Sequence, residues 1–367
     1  MTRLSHSACS KYQDCSKAYE YHYIKKYRST TQSAALLFGT AIDKACEKYA
    51  LTNSLAEALT TFENSWDEQE LNGKATKLIY CTEIVYSNND FDIDLLDQSD
   101  YDFLTKTYGV EDVQSTIQEL YKKKEVIGFD NLTQDNKELL NVYNWMCLRH
   151  KGQYMVAEFA SIFQKNVEEV LGTQVEVSLE NEQGDSIIGY VDFVLKMKNE
   201  DVPVIIDLKT AARAYDDDSV TTSPQLGLYV YSLKHKYQNT NRAGYIVLNK
   251  NIKKNKDKVC SICGYDGSGA RHKTCNNENI EGVRCNGAWN EKINPSVNYQ
   301  IIIDTVPELL QERIVENFNE VNKGIKAQIF PRNFSACKKY NGAVICPFYH
   351  LCHHNKMDNI VDKSKEE

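Results

Sequence analysis

Residues 186–211, SIIGYVDFVLKMKNEDVPVIIDLKTA, hold Asp192, Asp207 and Lys209 in a setting suited to phosphate chemistry. The hydropathy pattern predicts two strands and a turn. The first strand, Ile187 to Leu195, carries Asp192, and the turn is Lys198-Asn199-Glu200-Asp201. The second, Val202 to Leu208, is an apolar β-branched run ending in Asp207-Leu208-Lys209, as a buried central strand would read. Asp192, Asp207 and Lys209 would then meet at one edge of a small sheet. Carboxylates gathered there can hold a divalent cation through hard oxygens, and the cation can activate water beside a phosphate. A nearby ammonium can orient that water or stabilise developing charge. Taken alone, the stretch also fits a hairpin with an ordinary surface Asp and Lys, because a D…DxK string is short and common.

Two helices must position these groups. In TTSPQLGLYVY, residues 221–231, Thr222 or Ser223 can cap a helix and Pro224 suits its first turn. Gln225 and Tyr229 lie four apart and share a helical face. Residues 33–50, SAALLFGTAIDKACEKYA, predict a second helix, with Gly39, Asp43 and Glu47 on one stripe. Asp43 is a reasonable hard-metal ligand; the alternative is a solvated face bearing Asp43 and Glu47.

The order and spacing of Gly189-Tyr190-Val191-Asp192, Asp207-Leu208-Lys209 and Gln225…Tyr229 resemble the PD-(D/E)XK nuclease superfamily, in its RecB/AddB-like exonuclease branch. The resemblance implies an α/β, restriction-endonuclease-like core sheet flanked by helices, with a helical insertion and a small zinc-binding insertion. It implies that Asp43 (where the family usually has histidine), Asp192, Asp207 and the Leu208 carbonyl hold one or two Mg²⁺ or Mn²⁺ ions. Lys209 would position the attacking water. Gln225 and Tyr229 would contact the DNA backbone or orient Lys209. The implied activity is a metal-dependent DNA nuclease, an exonuclease on single strands or ends, serving phage or mobile-element recombination. Alternatives are an endonuclease, a CRISPR-adaptation-type end trimmer, and a catalytically idle nucleic-acid-binding subunit. Partners would be DNA and a helicase or recombination protein.

The chain has 367 residues, enough for one large domain with insertions or two domains. No apolar run is long enough to span a bilayer, and MTRLSHSACSKYQDC has no signal-peptide core, so a cytoplasmic protein without membrane contact is expected. Twelve cysteines in that compartment read as metal ligands or core residues rather than disulfides. The net charge of −8 argues weakly against nucleic acid, although a locally basic groove would decide. Asp90, Asp92, Asp94, Asp97, Asp100 and Asp102 read as a solvated acidic loop.

Residues 1–50 form the N-terminal part of the expected core, beginning with a loop and a tyrosine-rich helix. Residues 51–150 read as a helical insertion that could wall a DNA channel, with Trp66 and Trp145 in the core and Cys46, Cys81 and Cys147 as buried thiols. Residues 151–250 hold the catalytic core: a helix over 152–171, a strand over 174–180, the hairpin, the 225–237 helix and a strand over 243–249. Residues 251–295 break the pattern. A lysine-rich run precedes Cys260, Cys263, Cys275 and Cys285, in a segment too poor in apolar residues to fold without a staple. Four thiolates suit structural Zn²⁺. His272 could replace one, and an iron–sulfur cluster or a loop of free thiols are the alternatives. The neighbouring lysines, with Arg271, His272, Lys273 and Arg284, could touch DNA phosphates or merely solvate the segment.

Residues 296–367 complete the core with a strand over 296–304, a helix over 307–327, and Cys337, Cys346 and Cys352. Iron–sulfur members of the resembled branch join one N-terminal cysteine to three C-terminal ones. The resemblance thus implies a [4Fe–4S] cluster on Cys15, Cys337, Cys346 and Cys352, with Cys9 competing for the N-terminal position and Zn²⁺ as rival ion. His350, His353 and His354 confuse the ligand count.

Overall fold

A computed structural model describes residues 3–71, 78–80, 95–127, 131–181, 184–267, 272–278, 282–338 and 346–365. Strand β1 (Arg3–Ser5) leads into helices α1 (His6–Asp14) and α2 (Ser16–Tyr19) and a π-helical turn (Glu20–Ile24). Strands β2 (Tyr27–Ser29) and β3 (Thr31–Ser33) precede α3 (Ala34–Thr52). Next come α4 (Leu55–Leu71), β4 (Leu78–Tyr80), α5 (Gln98–Tyr108), α6 (Val113–Ile127) and α7 (Gln134–Asn166). The sheet-forming half follows: β5 (Val167–Glu180), β6 (Ser186–Met197), β7 (Val204–Ala211), α8 (Pro224–Leu233), β8 (Arg242–Cys260) and β9 (Trp289–Thr305). Helices α9 (Glu308–Lys326) and α10 (Tyr349–His354) and strand β10 (Ile360–Asp362) follow, and a 3₁₀ turn (Lys363–Lys365) ends the described chain.

A mixed sheet runs in the order β1-β6-β7-β8-β9, with β5 on the other edge of β6. Its centre is β7, buried from Val204 to Leu208, antiparallel to β6 and parallel to β8. The period of two explains its two-sided burial. Val204, Ile206 and Leu208 join the core that α3, α4 and α7 cover, while Ile205 joins the core under α1, α8 and α9. Each such aliphatic side chain contributes about 1.5–3 kcal/mol when fully buried. This is a mixed α/β sheet flanked by helices, as a restriction-endonuclease-like core requires.

Several boundaries differ from the sequence expectation. Helix α7 runs unbroken through residue 150, so the division drawn there falls inside one helix, and β5 begins at Val167 rather than 174. The helices of 51–150 share their core with α3 and the sheet: Trp66 and Trp145 stack with ring centroids 3.7 Å apart, beside Phe62. The strand expected over 243–249 does not end there but runs on through the lysines. As β8 it continues to Cys260, paired with β9, which begins at Trp289.

The acidic stretch also needs correction. Asp97 caps α5 and Asp100 returns the capping box. Asp100 is 5 % exposed and meets His150 Nε2 at 2.6 Å, so it is buried with a partner rather than solvated. Asp90, Asp92, Asp94, Cys81 and Arg271 lie outside the described residues. Cys46 and Cys147 are fully buried.

The two ends of the chain dock on each other. Tyr12 donates to the Ile329 carbonyl at 2.7 Å, and Asn333 donates to the Asp14 carbonyl at 2.8 Å. β10 pairs antiparallel with β2.

Candidate active site

Strand β6 changes partner along one edge, and the site lies at the change. Its start pairs with β1 at 186–188 and its end with β7 at 193–195, while β5 follows the opposite edge throughout. Between those two pairings lie Gly189 to Asp192. Where the ladder to β7 opens, the Asp192 carboxylate takes over: Oδ2 accepts the Leu208 N–H at 2.7 Å. Its other oxygen accepts from Gln174 Nε2 at 3.3 Å. Asp207 and Lys209 alternate with Leu208 and so share one face of β7.

One glycine lets helix α8 approach the sheet closely. A Cβ on Gly189 would lie 3.0 Å from Tyr229 Cε1 and 3.2 Å from Val177 Cγ2, so the bare backbone makes room for the Tyr229 ring. A Cβ on Gly39 would sit 3.6 Å from Thr210 Oγ1, which shows α3 lying close over the end of β7. One turn further along α3, Asp43 is close enough to Asp207 and Lys209 to feel both charges. Glu47, a turn later, accepts from Thr173 at 3.4 Å.

The three aspartates are crowded. Burial, then the charge of Asp207, pushes Asp43 up to about 6. Burial, then Asp207 and Asp43, pushes Asp192 up to about 8. Asp207, 2 % exposed, is also raised by burial, against the pull of Lys209. Burial works to strip the proton from Lys209, yet contact with Asp207 and the charge of Asp192 win and hold it above its ordinary value. Lys209 is therefore an ammonium at neutral pH.

Ser223 caps α8 by accepting the Leu226 N–H at 3.2 Å, with Pro224 in the first turn. That start aims Gln225 at the strand. Its Nε2 donates to Asp207 Oδ1 at 3.1 Å and to the Tyr229 hydroxyl at 2.7 Å, and its Oε1 accepts from Lys209 Nζ at 3.3 Å. Tyr229 is 3 % exposed, so of the two expected uses, contact with DNA and orientation of Lys209, its burial allows the second.

His6 escaped the sequence reading. It opens α1 where β1 ends, and burial, then the nearby Lys209 charge, lowers its pKa. Its one sequence signal is the Ser5-His6-Ser7 start of a capped helix, with Ser5 accepting the Ala8 N–H at 3.1 Å.

The cysteines form two groups of different geometry. Among the described residues, Cys260, Cys263, Cys275 and Cys285 bring their sulfurs within 4.8 Å of one another. The Cys260–Cys285 and Cys263–Cys275 pairs are 3.5 and 3.7 Å apart. A tetrahedral ion with bonds near 2.3 Å sets sulfurs about 3.8 Å apart, so the set fits one Zn²⁺. The Cys263 and Ile262 N–H groups point at Cys260 Sγ and hold that thiol down at about 6. His272 stands outside the set; its carbonyl accepts from Trp289 Nε1 at 2.9 Å.

Cys15, Cys337, Cys346 and Cys352 line one pocket with Arg332, Phe334 and Phe348. Docking of α1 and α2 on residues 329–333 is what brings Cys15 there. Four thiols lining one pocket are the donor set that a [4Fe–4S] cluster takes, one sulfur to each iron. Cys9 lies instead in the core under α1, its thiol pushed up to about 12 by burial. His350, His353 and His354 group around the Tyr349 ring.

A family profile described as the PD-(D/E)XK nuclease superfamily matches residues 3–87 and 111–353. No curated protein matches the chain significantly.

Proposed function

Because the chain belongs to the PD-(D/E)XK nuclease superfamily, we propose that it is a metal-dependent deoxyribonuclease, acting as an exonuclease on single strands or DNA ends. The observation that carries this reading is the crowding of Asp43, Asp192 and Asp207 against Lys209, with carboxyls raised to about 6 and about 8. Such a set is relieved by a hard divalent ion. Asp43, Asp192, Asp207 and the Leu208 carbonyl would hold Mg²⁺ or Mn²⁺. When bound, the ion would polarise the phosphate and lower the pKa of water beside it. Lys209 stays protonated, braced by Asp207 and Gln225 Oε1, and offers its ammonium to the attacking water or to the charge that builds on phosphate. Gln225 fixes that ammonium in place, and Tyr229 fixes Gln225 from below.

The Cys15, Cys337, Cys346 and Cys352 pocket supports the RecB/AddB-like branch and a [4Fe–4S] staple. The close sulfurs of Cys260, Cys263, Cys275 and Cys285 support structural Zn²⁺. The combination of a helical and a zinc-binding insertion resembles proteins of phages or mobile elements, and a role in their DNA processing is part of this proposal. The substrate class is tested with end-labelled linear single strands, linear duplexes and circles, incubated with Mg²⁺ or Mn²⁺. An exonuclease shortens linear DNA and leaves circles intact. Cut circles would make it an endonuclease; bound but uncut DNA would make it an idle binding subunit.

A further inference from the structure

Strand β8 outruns its neighbour. Its pairing with β7 ends at Ala211–Asn249, but its pairing with β9 continues from Ile252–Val297 to Cys260–Trp289. Those nine residue pairs form a two-stranded ribbon about 30 Å long. β7 and β8 are parallel, so the ribbon leaves the sheet at the end of β7 that bears Asp207 and Lys209. Lys209 is in register with Val247, a few residues before the ribbon starts.

The composition of the ribbon is unlike that of the chain. Lys253, Lys254, Lys256 and Lys258 follow one another along its β8 strand with Asp257 the one acid among them, and β9 adds Lys292 and Glu291, in a protein of net charge −8. The tip is the four-thiol knuckle, pinned by the Cys260 N–H to the Tyr265 carbonyl and the Cys275 N–H to the Gly287 carbonyl, both at 2.9 Å. On this held frame Ile262, Val283 and Tyr265 are 75, 59 and 45 % exposed. A lysine-rich strand whose tip exposes apolar and aromatic side chains combines phosphate attraction with a surface on which bases stack. Unpaired bases offer their faces for such stacking, whereas paired ones are hidden in the duplex.

We propose that the β8–β9 ribbon and its knuckle bind an unpaired DNA strand and lead it to the Asp207–Lys209 edge. The choice of DNA rests on the nuclease reading; the preference for an unpaired strand rests on the exposed tip.

The test is fluorescence anisotropy with a long labelled single strand and a blunt duplex, without added Mg²⁺ or Mn²⁺, so that binding is read apart from cleavage. The variant is Ile262→Ser, Tyr265→Ala and Val283→Ser together, all exposed, with zinc content and melting temperature checked against wild type. Single-strand affinity should fall at least about tenfold, from the loss of base stacking. Duplex affinity should hold, and Tyr265→Phe alone should bind as wild type does. Wild-type single-strand affinity in the triple variant, or equal loss on both DNAs, would overturn the proposal. A short oligonucleotide that fills only the active site should still be cut normally by the triple variant. Failure of wild type itself to cut any DNA would count against the nuclease reading, while the anisotropy comparison still decides the ribbon's role.

Discussion

Asp43 departs from the usual histidine of the resembled family, so its role is open to a clean trial. Its carboxyl is close enough to Asp207 and Lys209 to feel both, as a shared ion would require. Asp43→Ala should raise the Mg²⁺ or Mn²⁺ concentration needed for half-maximal cleavage. Asp43→His should keep part of the activity and shift preference toward softer ions, which imidazole favours over carboxylate. Unchanged metal dependence in Asp43→Ala would reduce the residue to a helix-surface acid. Asp192 gives a prediction in stability. It is held up to about 8 by burial, then by Asp207 and Asp43. Between the ordinary aspartate value of about 3.9 and that raised value, the native state keeps a proton that the unfolded chain has released. Stability contributed here therefore falls as pH rises through the window. Without divalent metal, wild type should lose melting temperature across that range more steeply than Asp192→Asn. Parallel slopes would contradict the burial of an ionisable Asp192.

At the scale of elements, the two cysteine groups separate. Cys285→Ser should lose zinc and disturb only the knuckle at the ribbon's tip. Cys352→Ser should lose iron and colour, and lower the melting temperature of the whole protein, because a cluster in that pocket would tie Cys15, next to α2, to the C-terminal segment. Metal analysis of anaerobically prepared protein decides it: zinc without iron would make both sites zinc staples. What was legible in the sequence depended on how local each feature is. Asp207 and Lys209 stand out because a β-branched run announces their strand and a spacing of two puts them on one face. The β8 ribbon did not stand out, because lysine and asparagine are poor strand formers and only pairing with β9 overrides that tendency. Asp100 looked solvated because its partner, His150, is fifty residues away on α7. The change of partner along β6 is equally long-range: β1, which shares that edge with β7, comes from the far N-terminus.

For the whole molecule, an acidic chain cuts an acidic polymer only if its charge is unevenly placed. The lysine run of the ribbon and the ammonium of Lys209 lie at the same end of the sheet, beside the buried carboxyls of Asp192 and Asp207. The central claim is that this edge is a nuclease centre. Its most direct test is cleavage of end-labelled DNA at saturating Mg²⁺ or Mn²⁺ by wild type, Lys209→Ala and Asp207→Ala, each shown to be folded by its melting curve. Wild type should cut, and each variant should be slower by about a hundredfold or more, the cost typical of removing one charge-stabilising group. Cleavage by Lys209→Ala and Asp207→Ala at the wild-type rate would contradict the account.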